Sequence, residues 1–105
     1  GRQFIARIDG TGVGFATVYW TWSTLSAARV GTLYDLFVAD GTRGRGVGRR
    51  LLNAVLTACR EHGAVEMVWQ TALDNTVAQR LYDGIGAEQS RWLDYSLPAT
   101  AVLPE

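Results

Sequence analysis

Hydrophobic and polar positions follow two different periods along the chain. Residues 3–8 alternate and carry Phe4, Ile5 and Ile8, which predicts a strand. Asp9-Gly10-Thr11-Gly12 predicts a hairpin turn, because Asp-Gly suits the tight turns that join antiparallel strands. Residues 13–22, rich in β-branched and aromatic types, predict the second strand. Ser23–Arg29 shows no helical pattern and reads as a connection. Residues 32–39 are apolar enough for a central third strand, which Asp40-Gly41-Thr42 ends.

The period then changes. Over residues 44–62, Val47, Leu51, Leu52, Val55, Leu56, Ala58 and Cys59 fall in one apolar stripe at helical spacing. Arg49, Arg50, Asn53, Thr57, Arg60 and Glu61 fill the opposite face, and Gly63 stands where a left-handed residue would stop the helix. Residues 64–71 predict a fourth strand. Asp74 or Asn75 caps a second helix over 75–84, with Val77, Ala78, Leu81 and Tyr82 on its apolar face and Gly84 and Gly86 at its end. Residues 87–97 predict a last strand or hairpin, closed by Pro98. The strand–helix–strand crossover makes the third and fourth strands parallel neighbours. The fold class is therefore α/β (α+β): a mixed, mostly antiparallel sheet with one parallel strand pair and two main helices.

Composition narrows the chemistry. A length of 105 residues fits one domain, and an apolar share of 48% supplies a core. Ten basic and ten acidic side chains balance, so no charge footprint points to nucleic acid or to an anionic membrane. Every basic residue is arginine, which excludes a Walker lysine and a Schiff-base lysine. Cys59 is the single cysteine, so an intrachain disulfide and a two-cysteine zinc site are excluded; no metal is expected, and a reducing cytoplasm is. No apolar run approaches the roughly 18–20 residues of a membrane span, and residues 1–4 already read as strand, not as a signal peptide.

Arg43-Gly44-Arg45-Gly46-Val47-Gly48-Arg49 lies between the buried third strand and the amphipathic helix. Backbone N–H groups in a first helical turn have no partners, and the macrodipole adds positive potential there. Glycines let such a backbone approach an anion closely, and the arginines add charge-assisted donors, which makes a diphosphate site. A P-loop does not fit, since position 47 is valine where that motif needs lysine. The dinucleotide fingerprint does not fit either, since Arg49 stands at the place of its third glycine. A tight turn with no ligand is the plain alternative.

Arg43-x-x-Gly46-x-Gly48 resembles the acetyl-CoA signature of the GNAT acetyltransferases. The approach through Asp35-Leu36-Phe37-Val38 and the run Asn75-x-x-Ala78-x-x-Leu81-Tyr82-x-x-x-Gly86 are similar to that family as well. The resemblance spans roughly residues 3–97. It implies a GNAT-like acyl-CoA acyltransferase fold whose parallel pair splays, with acetyl-CoA as acetyl donor and the primary amine of a small molecule or peptide as acceptor. Leu36, Phe37 and Val38 would pair with the pantetheine arm, and a backbone N–H there, that of Val38 above all, would polarise the thioester carbonyl. Arg43, Gly44, Arg45, Gly46, Val47, Gly48 and Arg49 would cradle the diphosphate. Asn75 would reach the arm, and Ala78 would leave room for it.

Tyr82 lies four residues after Ala78 on one helical face; the resemblance makes it the general acid for the leaving thiolate, against a purely packing role. Asp35 is the candidate base, direct or through water, and an ion pair or hydrogen bond at a strand edge fits it equally. His62, at a helix C-terminus, and Cys59, on the buried stripe, read as structural. Trp20 and Trp22 share a strand face; with Tyr19 and Tyr34 nearby, an acceptor pocket, a subunit contact and plain core all fit them, and core or contact is the reading taken.

Family members usually open with one more strand and a pair of helices that wall the acceptor site, and this chain begins after them. The expectation is a single domain over 1–105 that another segment completes, that a second copy completes as a homodimer, or that stands as a reduced variant, with exposed apolar sheet face favouring self-association. Two functions compete: an N-acetyltransferase, and a non-catalytic module that only holds coenzyme A. A nucleotide-binding protein with a different anion loop is the third reading.

Overall fold

The computed structural model describes residues 1–42 and 44–104. Three long strands open the chain: β1 (Arg2–Ile8), β2 (Thr11–Ser23) and β3 (Ala28–Val38). Asp9 and Gly10 join β1 to β2 with φ of 50° and 81°, the left-handed pair that a two-residue hairpin turn with the sheet's twist requires. β2 and β3 form a second hairpin, closed where the Ser26 amide donates to Ser23 Oγ at 3.2 Å. Both strands run further than their apolar cores predict, because the ladder continues into Ser23↔Ala28 beyond the last hydrophobic positions.

A single 3₁₀ turn (Asp40–Thr42) leads to α1 (Val47–Glu61), then β4 (Met67–Val68) and α2 (Thr76–Gly84). The sheet order is β1-β2-β3-β4, antiparallel except for the parallel β3–β4 pair, so β3 is internal as its apolar run predicts. The helix starts three residues later than its stripe suggests, since Gly44 and Gly46 hold φ of 83° and 77°, outside helical geometry.

The core lies between α1 and one sheet face. Leu51, Leu52, Val55, Ala58 and Cys59 of α1 pack onto Val13, Ala16, Val18 and Leu33. Each large aliphatic side chain buried there contributes about 1.5–3 kcal/mol. Gly31 lies directly under Cys59, and a β-carbon at that position would run into Cys59 Sγ.

Two irregularities set the faces. Between Thr17↔Asp35 and Val18↔Leu33 the ladder skips Tyr34, a bulge that reverses the alternation of β3. Leu33 faces the core before it, while Leu36 and Val38 pack on the core after it, leaving Phe37 half exposed on the far side. On that far face Ile5, Phe15 and Phe37 lie opposite one another across three strands, and Tyr19 meets Tyr34 edge-on at 5.0 Å.

Two expectations fail. The fourth strand is Met67–Val68 only, and residues 87–97 form no strand. Instead 87–97 runs along the surface, with Trp92 80% and Tyr95 90% exposed. An alternating apolar pattern becomes a strand only with a neighbouring edge of matching length, and a two-residue β4 offers almost none.

Candidate functional site: a splayed strand pair beside a glycine loop

β3 and β4 are paired only at Gly31↔Met67 and Thr32↔Val68. Beyond those pairs they part, and a cleft of about 490 Å³ opens between residues 33–37 of β3 and the segment Trp69–Ala72. Asn75 and Tyr82 of α2 close one side, and Phe15 contributes from β2. The Ala39 amide donates to Val13 O at 2.8 Å, which fixes the phase of the strand. By the alternation of backbone groups, Leu36 and Val38 then turn their N–H and C=O away from β2, toward the parted side. A run of such groups at an unpaired edge is a template for an extended ligand.

The glycine loop stands at the end of this edge. Gly46 is the N-cap of α1 and makes no side-chain cap, so the first-turn amides of Val47, Gly48 and Arg49 lack the helical carbonyls that later residues use. A β-carbon at Gly44 or Gly46 would meet no atom within 4 Å, and the left-handed φ at both explains why glycine stands there. Gly48 is close-packed instead: a β-carbon on it would come within 3.1 Å of Leu81 Cδ2, so the start of α1 sits directly against α2. Val47 gives only its backbone, because its side chain belongs to the core. Arg45 and Arg49 are exposed beside the loop. Arg43 lies outside the described residues.

α2 is set by its own cap. Asn75 Oδ1 accepts the Ala78 amide at 3.1 Å, which explains the choice of Asn75 over Asp74 as the cap. That oxygen is therefore committed to the helix, in a residue that also lines the cleft. Ala78 does not line the cleft. Gln79 Nε2 donates to the carbonyls of Ala72 and Leu73 at 3.1 and 3.0 Å, tying the cleft wall to α2.

Tyr82 is half-buried, and its ring meets Trp69 edge to face at 5.1 Å. Burial pushes the Tyr82 hydroxyl above the ordinary tyrosine range, so it is a protonated donor at neutral pH. Asp35 lines the same cleft from β3 and is the one charged residue among the described residues that line it. The structure thus gathers Asp35, Leu36, Phe37, Asn75 and Tyr82 around one opening, with the loop 44–49 beside it.

Sequence reasoning passed over Phe15, Trp69, Gln70, Thr71, Ala72 and Gln79. The splay itself was the available signal: if the third strand leaves its neighbour, the residues after the fourth strand must form the other wall. Gln79 carried no signal, since its carbonyl partners are fixed only by the turn of the chain at 72–73. Two residues read as structural are so placed. His62 stacks on Trp20 with centroids 4.3 Å apart, with its Nδ1 3.1 Å from Ala58 O, and Cys59 is buried in the core. Trp22 is exposed.

Among the described residues no helix is long and apolar enough to cross a membrane, and no group of three or more His, Cys, Asp or Glu gathers as a metal site would.

Comparison with known proteins agrees with this geometry. Residues 1–87 match the pattern of the Acetyltransferase (GNAT) family. An uncharacterized N-acetyltransferase, YhfO of Bacillus subtilis, is 38% identical over 81% of this chain and 57% of its own length. Aminoglycoside N(6')-acetyltransferase type 1 of Salmonella typhimurium is 31% identical over 84% of this chain and 63% of its own. This chain thus spans about three fifths of these relatives. Among solved structures, the aminoglycoside N-acetyltransferase AAC(6')-Iy in complex with CoA superposes with a TM-score of 0.83 at 30% identity, covering 92% of this chain and 75% of that one. With its splayed pair, its glycine loop and a match over most of its length, the chain belongs to the GNAT family of acetyltransferases.

Proposed function

We propose that this chain is the donor-binding part of an N-acetyltransferase that moves an acetyl group from acetyl-CoA to the primary amine of a small molecule or peptide. The parted β3–β4 edge, leading straight to a helix N-terminus opened by Gly44 and Gly46, carries the reading. An extended amide-bearing arm fits the edge, and a diphosphate fits the bare amides of Val47, Gly48 and Arg49 with Arg45 and Arg49 beside them. Leu36, Phe37, Val38 and Asn75 complete the donor site, together with Arg43 and Ala78, which rest on the family motif alone.

The reaction that these groups support is direct transfer. The neutral amine adds to the thioester carbonyl, and the N–H of Val38 stabilises the charge that develops on its oxygen. The carbon–sulfur bond breaks, and the Tyr82 hydroxyl gives its proton to the departing thiolate. The proton lost by the amine goes to Asp35, directly or through water. Relatives named as aminoglycoside acetyltransferases favour a small-molecule amine. The exposed Ile5–Phe15–Phe37 row is covered by a second copy or by further chain, and the protein works in the cytoplasm.

The test is release of free thiol from acetyl-CoA. Amine-dependent release supports the enzyme, and coenzyme A binding with no release under any amine supports the second reading, a module that holds the coenzyme without catalysis.

A further inference from the structure

A second opening of about 270 Å³ lies among β1, β2 and the start of α1, lined by Ala6, Arg7, Ile8, Val13, Arg45, Val47 and Arg50, and it shares no lining residue with the cleft. Three arginines line it. They come from three places: Arg7 from β1, Arg45 from the glycine loop and Arg50 from α1. None of the three makes an ion pair or a side-chain hydrogen bond among the described residues.

This charge is placed against local electrostatics. The N-terminus of a helix is positive and favours acids, yet the first turn of α1 has no acidic residue and Arg49 and Arg50 stand at its start. Gathering like charges at the positive end of a helix costs stability unless an anion neutralises them. The opening is built to hold one. Its floor of Ala6, Ile8, Val13 and Val47 is apolar, which strengthens ion pairing above it. The β1–β2 ladder skips Val13 beside Arg7, and such a bulge re-aims the side chains around it. Guanidinium forks match phosphate oxygens in pairs, which compact ammonium groups do not.

We propose that the opening bordered by Arg7, Arg45 and Arg50 is a second phosphate-binding site, apart from the cleft and adjoining, at Arg45, the diphosphate cradle of the first-turn amides. Two sources supply that chemistry: the 3′-phosphate of coenzyme A, which rests on the proposed function, and a free phosphate species, which does not.

The test is calorimetric titration of the wild-type chain and of Arg7→Ala, Arg50→Ala and Arg2→Ala. The ligands are coenzyme A, dephospho-coenzyme A (without the 3′-phosphate) and inorganic pyrophosphate. Arg7 and Arg50 are exposed, so their loss leaves the fold intact, and Arg2, at the far end of β1, is the control. Loss of either Arg7 or Arg50 is expected to weaken binding roughly tenfold, the effect of removing a charged hydrogen-bond partner, while Arg2→Ala changes nothing. A loss confined to coenzyme A, with dephospho-coenzyme A unaffected, identifies the 3′-phosphate. A loss confined to pyrophosphate identifies a separate anion. Equal losses for both coenzymes would move these arginines to the diphosphate cradle and overturn the proposal, as would variants that bind all three ligands like Arg2→Ala. If no protein binds either coenzyme while the variants still lose pyrophosphate, the proposed function fails and this site stands.

Discussion

Tyr82 of α2 meets Trp69, just past β4, edge to face with ring planes at 72°. Both residues line the cleft between the parted strands, so the indole packs against the phenol at the cleft wall. Packing and proton donation are separable here. Tyr82→Phe keeps the ring contact and removes the hydroxyl. Turnover is expected to fall by about 10²-fold or more, the usual worth of a general acid, with coenzyme A affinity within about twofold. Steady-state kinetics beside a binding titration reads the split. An equal fall in both would make Tyr82 a packing residue.

The same hydroxyl sets an alkaline limit. Burial favours its neutral form in the folded chain, so its folded pKa lies above the unfolded value of about 10. The stability it contributes is therefore fully present below that unfolded value and is lost as pH rises through the raised one. The rate should rise with pH as the acceptor amine loses its proton and should not decline until pH exceeds the ordinary tyrosine range. Tyrosinate absorbance, compared between wild type and Tyr82→Phe, should show the missing transition to be the late-titrating one.

Gly31 and Cys59 make a steric lock between β3 and α1. Gly31→Ala should destabilise the chain by about 1–3 kcal/mol in urea unfolding, because the added methyl meets Cys59 Sγ at the base of the core. Gly31→Ala with Cys59→Ala should cost less than the sum of the single changes, since they share one contact. Burial also raises the Cys59 thiol pKa, against a smaller opposing pull from Arg60. The folded protein should accordingly resist a thiol reagent at neutral pH and react once unfolded.

Asn75→Ala removes the cap of α2 and should cost about 1 kcal/mol, seen as a drop of several degrees in thermal midpoint. Asn75→Asp keeps the accepting oxygen and should recover most of it. Loss of activity in Asn75→Ala beyond that recovered in Asn75→Asp would separate the role of the amide from that of the cap.

The parts of this fold governed by local rules were legible in the sequence. Asp9-Gly10 imposes its turn, the Val47–Cys59 stripe imposes the buried face of α1, and Gly44 and Gly46 stand where left-handed backbone is needed. What depended on a partner was not legible. The bulge at Tyr34 arises only when β2 and β3 are laid together, so the face of Phe37 was hidden. Residues 87–97 carry a strand pattern, yet β4 offers a two-residue edge and no strand forms. For the site, Asp35, Leu36, Phe37, Asn75 and Tyr82 line one opening and Ala78 does not, while the far wall at Trp69–Ala72 needed the splay to be seen. Arg7 and Arg45 are 38 positions apart, and only the packing of β1 beside the glycine loop brings them to one pocket.

Titration of coenzyme A into this chain, beside a Gly46→Val variant, probes the glycine loop directly. One coenzyme should bind per chain, with affinity sharply reduced by Gly46→Val, whose branched side chain opposes the left-handed backbone at the start of α1. Absence of binding to the wild-type chain, or equal binding by the variant, would contradict a donor site at that loop.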